Sequence, residues 1–153
     1  MNVGAQTHSQ FADSCLSTSR QAAYLAANIA ENKKALGTLV LDVRKVTAMA
    51  DFFIICGANS TAQVKTIVES IEAGLNHLGY HAQSIEGKME GRWVLLDFGT
   101  LIVHVLQERE RSLYNLERFW NHALIVDRSS WLQQTAAELT ANNFRAEKNK
   151  KQR

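Results

Sequence analysis

Apolar residues recur at helical spacing in two parts of the chain. In the clearer one, Ser60 and Gln63 form a capping box before an apolar repeat that continues to Gly79. This repeat consists of Val64, Ile67, Val68, Ile71, Leu75 and Leu78. A similar repeat begins at Ser17 and stops at Gly37. Its apolar positions are Ala22, Leu25, Ala26 and Ile29. Both segments are predicted to be amphipathic helices.

Five other segments have the alternating or unbroken apolar pattern of β-strands. They are residues 38–43 (TLVLDV), 51–57 (DFFIICG), 81–86 (HAQSIE) and the two halves of GRWVLLDFGTLIVH, residues 91–104. The last stretch is predicted to turn at Gly99 and form a hairpin. The second segment is apolar almost throughout, which is typical of a strand that is buried on both faces.

Helical spacing resumes after the strands, at Leu113, Leu116, Phe119, Trp120 and Ala123. A final helix is predicted from Trp131 to about Arg145, with Ser129 or Ser130 as its cap. The order of elements is therefore α, β, β, α, β, β, β, α, followed by the final helix. This order predicts an α/β fold with a mixed five-stranded sheet and flanking helices.

The predicted hairpin has two different faces. If residues 99 and 100 form a two-residue turn, the strands pair from Phe98 with Leu101 to Trp93 with Leu106, and opposed residues share a face. One face is then wholly apolar and is expected to pack on the helices: Val94, Leu96, Phe98, Leu101, Val103 and Val105. The other mixes apolar groups with an acid and an imidazole: Trp93, Leu95, Asp97, Ile102, His104 and Leu106.

The mixed face has three interpretations, which these residues alone leave open. In the first, the chain's own loops and helices cover it, and internal partners satisfy Asp97 and His104, because buried polar groups are normally paired. In the second, it is an active site. In the third, it is open to another protein, with Trp93 as the aromatic anchor and Asp97 giving orientation.

The composition is that of one ordinary globular domain. Of 153 residues, 46% are hydrophobic and 21% are charged, which fits neither a membrane protein nor a disordered chain. No apolar run approaches the roughly 20 residues that span a bilayer, and the first residues lack the pattern of a signal peptide. The protein is therefore expected to be cytoplasmic.

The charge distribution separates a body from a basic tail. Residues 140–153 carry five Lys or Arg and one Glu, a net charge of +4, so the rest of the +2 chain carries −2. A mildly acidic body favours a basic protein partner over nucleic acid. The tail is either a solvated end or a weak RNA contact. We expect a disordered leader at residues 1–16, an α/β domain at residues 17–127, and a C-terminal helix with the basic tail at residues 128–153.

Three aspartates and a histidine raise the alternative of a metal-dependent, nucleotidyltransferase-like enzyme. Asp42, Asp51 and Asp97 would gather around the metal ion, with His104 as the general base. Such enzymes have a Gly-Ser turn followed by two carboxylates spaced one residue apart, and no such pair follows residues 57–60. We therefore assign no catalytic residue, no metal ligand and no cofactor.

Seven short motifs occur in order between Arg20 and Asp127. They are LDVR (41–44), ADFFIICGANS (50–60), QVKTI (63–67), IEG (85–87), WVLLDFG (93–99), VHV (103–105) and RSLYNLERFW (111–120). Together they resemble the Iojap family, the bacterial ribosomal silencing factors. The resemblance implies an α/β domain with a mixed sheet, whose topology is like that of nucleotidyltransferases but without their chemistry.

The resemblance also implies a function and partners. Proteins of this family bind the large ribosomal subunit through large-subunit ribosomal protein fourteen, where the small subunit would dock. They thereby prevent subunit joining and repress translation under nutrient limitation, and they form homodimers when free. We expect Trp93, Leu95 and Asp97 to make the contact, with Arg92 and Lys88 at its rim. A dimeric scaffold that uses the same face but has no ribosomal role remains a further alternative.

Overall fold

As far as Tyr114, the helices and strands follow the predicted order in the computed structural model, which describes residues 5–132. The helices are α1 (Ala5–Asn32), α2 (Thr61–His77), α3 (Glu108–Tyr114) and α4 (Leu116–Phe119). The strands are β1 (Leu36–Asp42), β2 (Phe52–Ala58), β3 (Ser84–Glu86), β4 (Trp93–Asp97), β5 (Leu101–Gln107) and β6 (Leu124–Ile125). None of the helices within the described residues has the length and apolar character that a membrane span requires.

All six strands belong to one mixed sheet in the order β3-β4-β5-β2-β1-β6. The neighbours β2 and β5 run parallel, and the other pairs are antiparallel. The predicted mixed sheet with flanking helices is confirmed, but the prediction of five strands missed β6. This strand has only two residues, which pair with Leu41 and Asp42 of β1. A strand this short leaves no alternating pattern in the sequence.

The packing of α1 and α2 defines what we call the helical side of the sheet. Both helices bury their apolar stripes against alternate residues of the strands. In α2 the buried residues are Val64, Ile67, Val68, Ile71 and Leu75. The sheet residues in the same cluster include Phe52, Ile54, Val94, Leu96, Val103 and Val105. Because burial of apolar surface is the main favourable term in folding, this two-helix layer is the chief source of stability.

Helix α1 begins at Ala5, so most of the segment predicted to be a disordered leader is helical. Residues 5–17 contain neither Gly nor Pro, so a helix anchored by buried positions further along continues through them. The hydroxyl residues at the predicted start of the repeat, Ser17, Thr18 and Ser19, lie inside the helix. One of them, Ser19, donates a hydrogen bond to the carboxylate of Asp51 at 2.9 Å.

The described C-terminal end of the chain returns to the helical side. Residues 128–132 are helical, and Trp131, only 1% exposed, packs in the same cluster as α1 and α2. Its backbone carbonyl accepts a hydrogen bond from the Asn28 side chain at 3.2 Å, and Arg128 pairs with Glu31 at 3.1 Å. The remainder of the predicted final helix and the basic tail lie outside the described residues.

Candidate partner-binding site

The β4–β5 hairpin has the register that the sequence predicts. Its pairs run from Trp93 with Leu106 to Asp97 with Ile102. The wholly apolar face of the hairpin packs on the helical side, as expected. The mixed face therefore lies on the other side of the sheet, which we call the open side.

Among residues 5–132, the open side is covered at its centre but not along β4. Leu116 of α4 and Trp120 pack on the central strands, where the ring centroids of Trp120 and Phe53 lie 4.6 Å apart. Trp93 and Leu95 belong to the same cluster but remain partly exposed. For the part of the chain that the structure describes, the interpretation that the chain covers its own mixed face thus holds for the centre of the sheet and not for β4.

A hydrogen bond within the open side fixes the orientation of Trp93. Its indole N–H donates to Nδ1 of His104 at 3.1 Å, so the neutral imidazole carries its proton on Nε2. His104 is 7% exposed, and its ring lies 5.7 Å from that of Phe53. Burial lowers the pKa of His104 to about 4. The imidazole is therefore neutral at physiological pH. Its Nδ1 accepts the hydrogen bond from the indole N–H, and this leaves His104 poorly suited to act as a general base.

Asp97 stabilises the hairpin turn while it faces the open side. One of its carboxylate oxygens accepts a hydrogen bond from the Gly99 backbone N–H at 2.7 Å, a local contact typical of tight turns. No other donor among the described residues binds this carboxylate. Since Asp97 is also partly exposed, its second oxygen is free to accept a hydrogen bond from a partner.

Strand β3 contributes two residues that the sequence analysis missed. Ser84 pairs with Asp97 and Glu86 pairs with Leu95, so both side chains lie on the open side, and both are exposed. We call Ser84, Glu86, Trp93, Leu95 and Asp97 the β3–β4 face. The alternation in HAQSIE contains this information, but it assigns a side only when the register between β3 and β4 is known.

Of the two residues expected at the rim, only Arg92 lies next to the β3–β4 face. The ammonium of Lys88 is 3.7 Å from the carboxylate of Glu72 in α2, which places it toward the helical side. Arg92 immediately precedes Trp93 and is exposed, and it lines a cleft together with Gln107. The structure therefore brings Arg92 next to the face but does not bring Lys88 to it.

The three aspartates of the enzyme alternative do not come together. Asp42 pairs with Phe52 in the β1–β2 ladder and so lies on the helical side, whereas Asp97 lies on the open side. The Arg44 guanidinium binds the Asp42 carboxylate and lowers its pKa. The Asp51 carboxylate accepts a hydrogen bond from the hydroxyl of Ser19 in α1. Within the described part of the chain, no three His, Cys, Asp or Glu residues are placed to hold a metal ion.

Comparison with known proteins links this arrangement to a family. The family model described as "Ribosomal silencing factor during starvation" matches residues 16–153. The chain is similar to "Ribosomal silencing factor RsfS" of Bacillus subtilis (strain 168), with 40% identity over 103 residues. That match covers 67% of this chain and 87% of the relative.

A more distant relative and a solved structure agree with this match. The mouse protein "Mitochondrial assembly of ribosomal large subunit protein 1" is 29% identical over 108 residues, which cover 69% of this chain and 46% of that protein. A crystal structure from Bacillus halodurans is 36% identical and has a TM-score of 0.60, covering 67% of this chain and 93% of that chain. The chain belongs to the family of ribosomal silencing factors.

Proposed function

We propose that this protein binds the large ribosomal subunit through the β3–β4 face and blocks subunit joining by steric exclusion. The observation that supports this most directly is the setting of Trp93. Its indole lies on the side of the sheet that neither α1 nor α2 covers, is oriented by His104, and shares its face with the carboxylates of Asp97 and Glu86. A fixed aromatic group with polar neighbours is typical of the residues that dominate binding energy in protein interfaces.

The contact on the subunit is large-subunit ribosomal protein fourteen, as the family resemblance implies. Glu86 and Asp97 give the face two carboxylates, which complement the basic surface that ribosomal proteins commonly present. The name of the similar mouse protein refers to the ribosomal large subunit, and this supports the choice of subunit. The contact is therefore expected to combine an apolar centre at Trp93 and Leu95 with salt-sensitive charge pairs.

The mechanism needs neither bond chemistry nor a cofactor. A standard interface of about 1,600 Å² with one aromatic anchor can reach nanomolar affinity, which is sufficient to hold a site against a large competitor. The bound protein then occupies space that the small subunit requires, and translation falls. We assign no enzymatic activity, and we place the protein in the cytoplasm with the ribosomes on which it acts.

When free, two copies of the protein pair through the same β3–β4 face. Trp93 and Leu95 are partly exposed, and the ring of Tyr114, itself 52% exposed, lies 5.2 Å from that of Trp93. An apolar surface of this kind is commonly buried by association. Because one face serves both partners, dimer formation and ribosome binding compete.

A subunit-joining experiment tests this function. Separated ribosomal subunits are allowed to rejoin with and without the protein, and the joined particles are measured by sedimentation in a sucrose gradient. We compare the wild type with Leu95→Arg on the β3–β4 face and with Leu78→Arg, a matched change at a 52% exposed leucine at the end of α2.

The wild type and Leu78→Arg are expected to reduce the number of joined particles, whereas Leu95→Arg leaves it near the level without protein. A charged side chain at the centre of an apolar contact carries a large desolvation cost, and this is the reason for the expected loss. If the wild type has no effect, the function is wrong. If Leu95→Arg blocks joining as well as the wild type does, the protein has the proposed function but binds the subunit through a different surface.

A further inference from the structure

A shallow cleft opens at the end of the sheet where β4 begins. It has a volume of about 540 Å³ and is lined by Thr61, Arg92, Gln107, Arg109, Glu110 and Leu113. It lies where the start of β4, the end of β5, the start of α2 and helix α3 meet. The hydrogen bond from Gln107 to Thr61 of α2 places the cleft toward the helical side. At the same end of the sheet, Tyr114, which follows Leu113 of the lining, lies with its ring 5.2 Å from the Trp93 indole on the open side.

Gln107 fixes the shape of this cleft. Its side-chain amide donates to the Thr61 hydroxyl and to the Gly91 carbonyl, each at 2.9 Å, and its backbone N–H donates to the Arg92 carbonyl at 2.8 Å. A Cβ atom at Gly91 would lie 2.5 Å from Cγ2 of Thr61. Glycine at this position therefore allows the loop before β4 to approach α2 closely, and the cleft is held open by a connected set of contacts.

The lining of the cleft presents two guanidinium groups to a ligand. Arg92 and Arg109 are exposed, and neither forms an ion pair or a hydrogen bond with any residue that the structure describes. The lining holds two arginines and one carboxylate, Glu110, so its net charge is +1. The Thr61 hydroxyl accepts from Gln107 and keeps its own proton for an acceptor. Guanidinium groups together with a hydroxyl donor suit the oxygens of a phosphate group.

We propose that this cleft binds one phosphate group of the ribosomal RNA backbone, next to the protein surface on which the β3–β4 face docks. The inference rests on the proposed function, because it assigns an RNA contact to the same encounter with the large subunit. The chain outside residues 140–153 has a net charge of −2, which argues against a broad basic surface that follows a nucleic-acid strand. A single phosphate contact fits both the net charge of +1 of the cleft lining and the position of the cleft.

The salt dependence of binding measures this contact. Affinity for isolated large subunits is determined at several KCl concentrations for the wild type, for Arg92→Gln/Arg109→Gln, and for Lys45→Gln. Lys45 is exposed and lies between β1 and β2, at the opposite end of the sheet from the cleft. Each phosphate contact contributes about 0.7 to 0.9 to the slope of log affinity against log salt.

We expect the double variant to lower that slope by about 0.7 to 0.9, so that between 50 and 200 mM salt the wild type loses about threefold more affinity than the variant does. Lys45→Gln is expected to keep the slope of the wild type. An unchanged slope in the double variant would overturn the inference while the proposed function survives. Wild-type protein that does not bind large subunits at all overturns both.

Cross-linking identifies what occupies the cleft. Arg109→p-benzoylphenylalanine places a photoreactive group there, and the irradiated complex with the large subunit is separated into RNA and protein. Attachment to ribosomal RNA supports the inference. Attachment only to a ribosomal protein overturns it, because the arginines would then face an acidic protein surface. Circular dichroism of each variant confirms that the exposed substitutions leave the fold intact.

Discussion

The orientation of Trp93 is set by a buried neighbour, His104, which is only 7% exposed. The imidazole of His104 accepts a hydrogen bond from the indole N–H, so the Trp93 ring is oriented without any contact to a partner. Preorganised anchors bind more tightly, because less conformational entropy is lost when the complex forms. His104 therefore acts as a positioning residue for the β3–β4 face.

Replacing Trp93 by Ala is expected to weaken binding to large subunits by about 2 kcal/mol or more, which is about 30-fold in affinity. The reason is the loss of a large, oriented apolar contact at the centre of the face. The measurement is a quantitative pull-down with isolated subunits. Leu78→Ala, a truncation of an exposed leucine at the end of α2, is the matched control and should bind like the wild type. Equal binding by a folded Trp93→Ala protein would contradict the prediction.

The buried imidazole of His104 also makes stability depend on pH. Its pKa is about 4 in the folded protein against 6.5 for the ordinary side chain. Between these values the unfolded chain binds a proton that the folded chain does not, so the free energy of unfolding falls as the pH falls. We expect a loss of about 2 kcal/mol between pH 7 and pH 5, and little change above pH 7.

Urea denaturation of the wild type and of His104→Gln at both pH values isolates this contribution. The variant is expected to be less stable at pH 7 but to lack most of the further loss at pH 5. Asp42, whose pKa is lowered by Arg44, contributes stability that is present above its ordinary value of 3.8 and is lost as the pH falls below it, so this loss stays outside the range. An equal drop in both proteins would show that another group is responsible.

Among the elements, the β4–β5 hairpin was the most predictable from sequence. A two-residue turn leaves one possible register, and alternation then assigns every side chain to a face. This is why the sequence alone assigns Trp93, Leu95 and Asp97 to one face, and the observed register confirms the assignment. Helix α2 was predictable for a similar reason, because its cap at Ser60 and its buried repeat are both local features.

Other elements depend on contacts that are distant in sequence, and these were not predictable. Glu86 joins the face only through the pairing of β3 with β4. The helical repeat from Leu113 was expected to be continuous, but Asn115, with φ of +44°, separates α3 from α4. A left-handed asparagine is tolerated at a helix end, and a sequence repeat does not show which asparagine will adopt it.

The junction between β3 and β4 can be broken at one glycine. Gly87 has φ of +81°, and a Cβ there would lie 2.1 Å from the backbone oxygen of Trp93. Gly79 also has a positive φ, of +85°, but a Cβ would meet nothing within 4 Å. We expect Gly79→Ala to cost about 1 kcal/mol of stability, and Gly87→Ala to cost about 2 kcal/mol more because a backbone clash is added to the strain.

Denaturant unfolding of both glycine variants measures the difference. Gly87→Ala is also expected to weaken binding to large subunits, since displacing β3 moves Glu86 away from Leu95. Gly79→Ala should bind normally once folded. If the two variants were equally stable, the close approach of Gly87 to Trp93 would have no energetic importance.

For the whole molecule, the unequal cover on the two sides of the sheet separates stability from binding. Within residues 5–132, the helical side is covered by α1, α2 and the segment at 128–132, whereas short elements cover only the centre of the open side. Substitutions on the helical side should therefore change stability with little effect on partner affinity. Substitutions on the β3–β4 face should do the reverse.

Trp131 provides a test of this separation. It is 1% exposed, so Trp131→Ala is expected to lower the free energy of unfolding by about 3 to 5 kcal/mol. Affinity of the folded fraction for large subunits should stay unchanged. Arg128→Gln, which removes an exposed ion pair in the same segment, should cost at most about 1 kcal/mol. Unfolding by urea and binding at low temperature provide the two measurements, and a stable Trp131→Ala protein would contradict the role given to this segment.

The different settings of the tryptophans also supply an optical signal without any label. Trp131 is buried in the core, so its fluorescence should not change when a partner binds. Trp93 is partly exposed, and its contact with water is lost when the β3–β4 face is occupied. Emission from Trp93 should then move to shorter wavelength on docking. A titration followed by intrinsic fluorescence would report occupancy of the face in real time, and the same shift would accompany self-association.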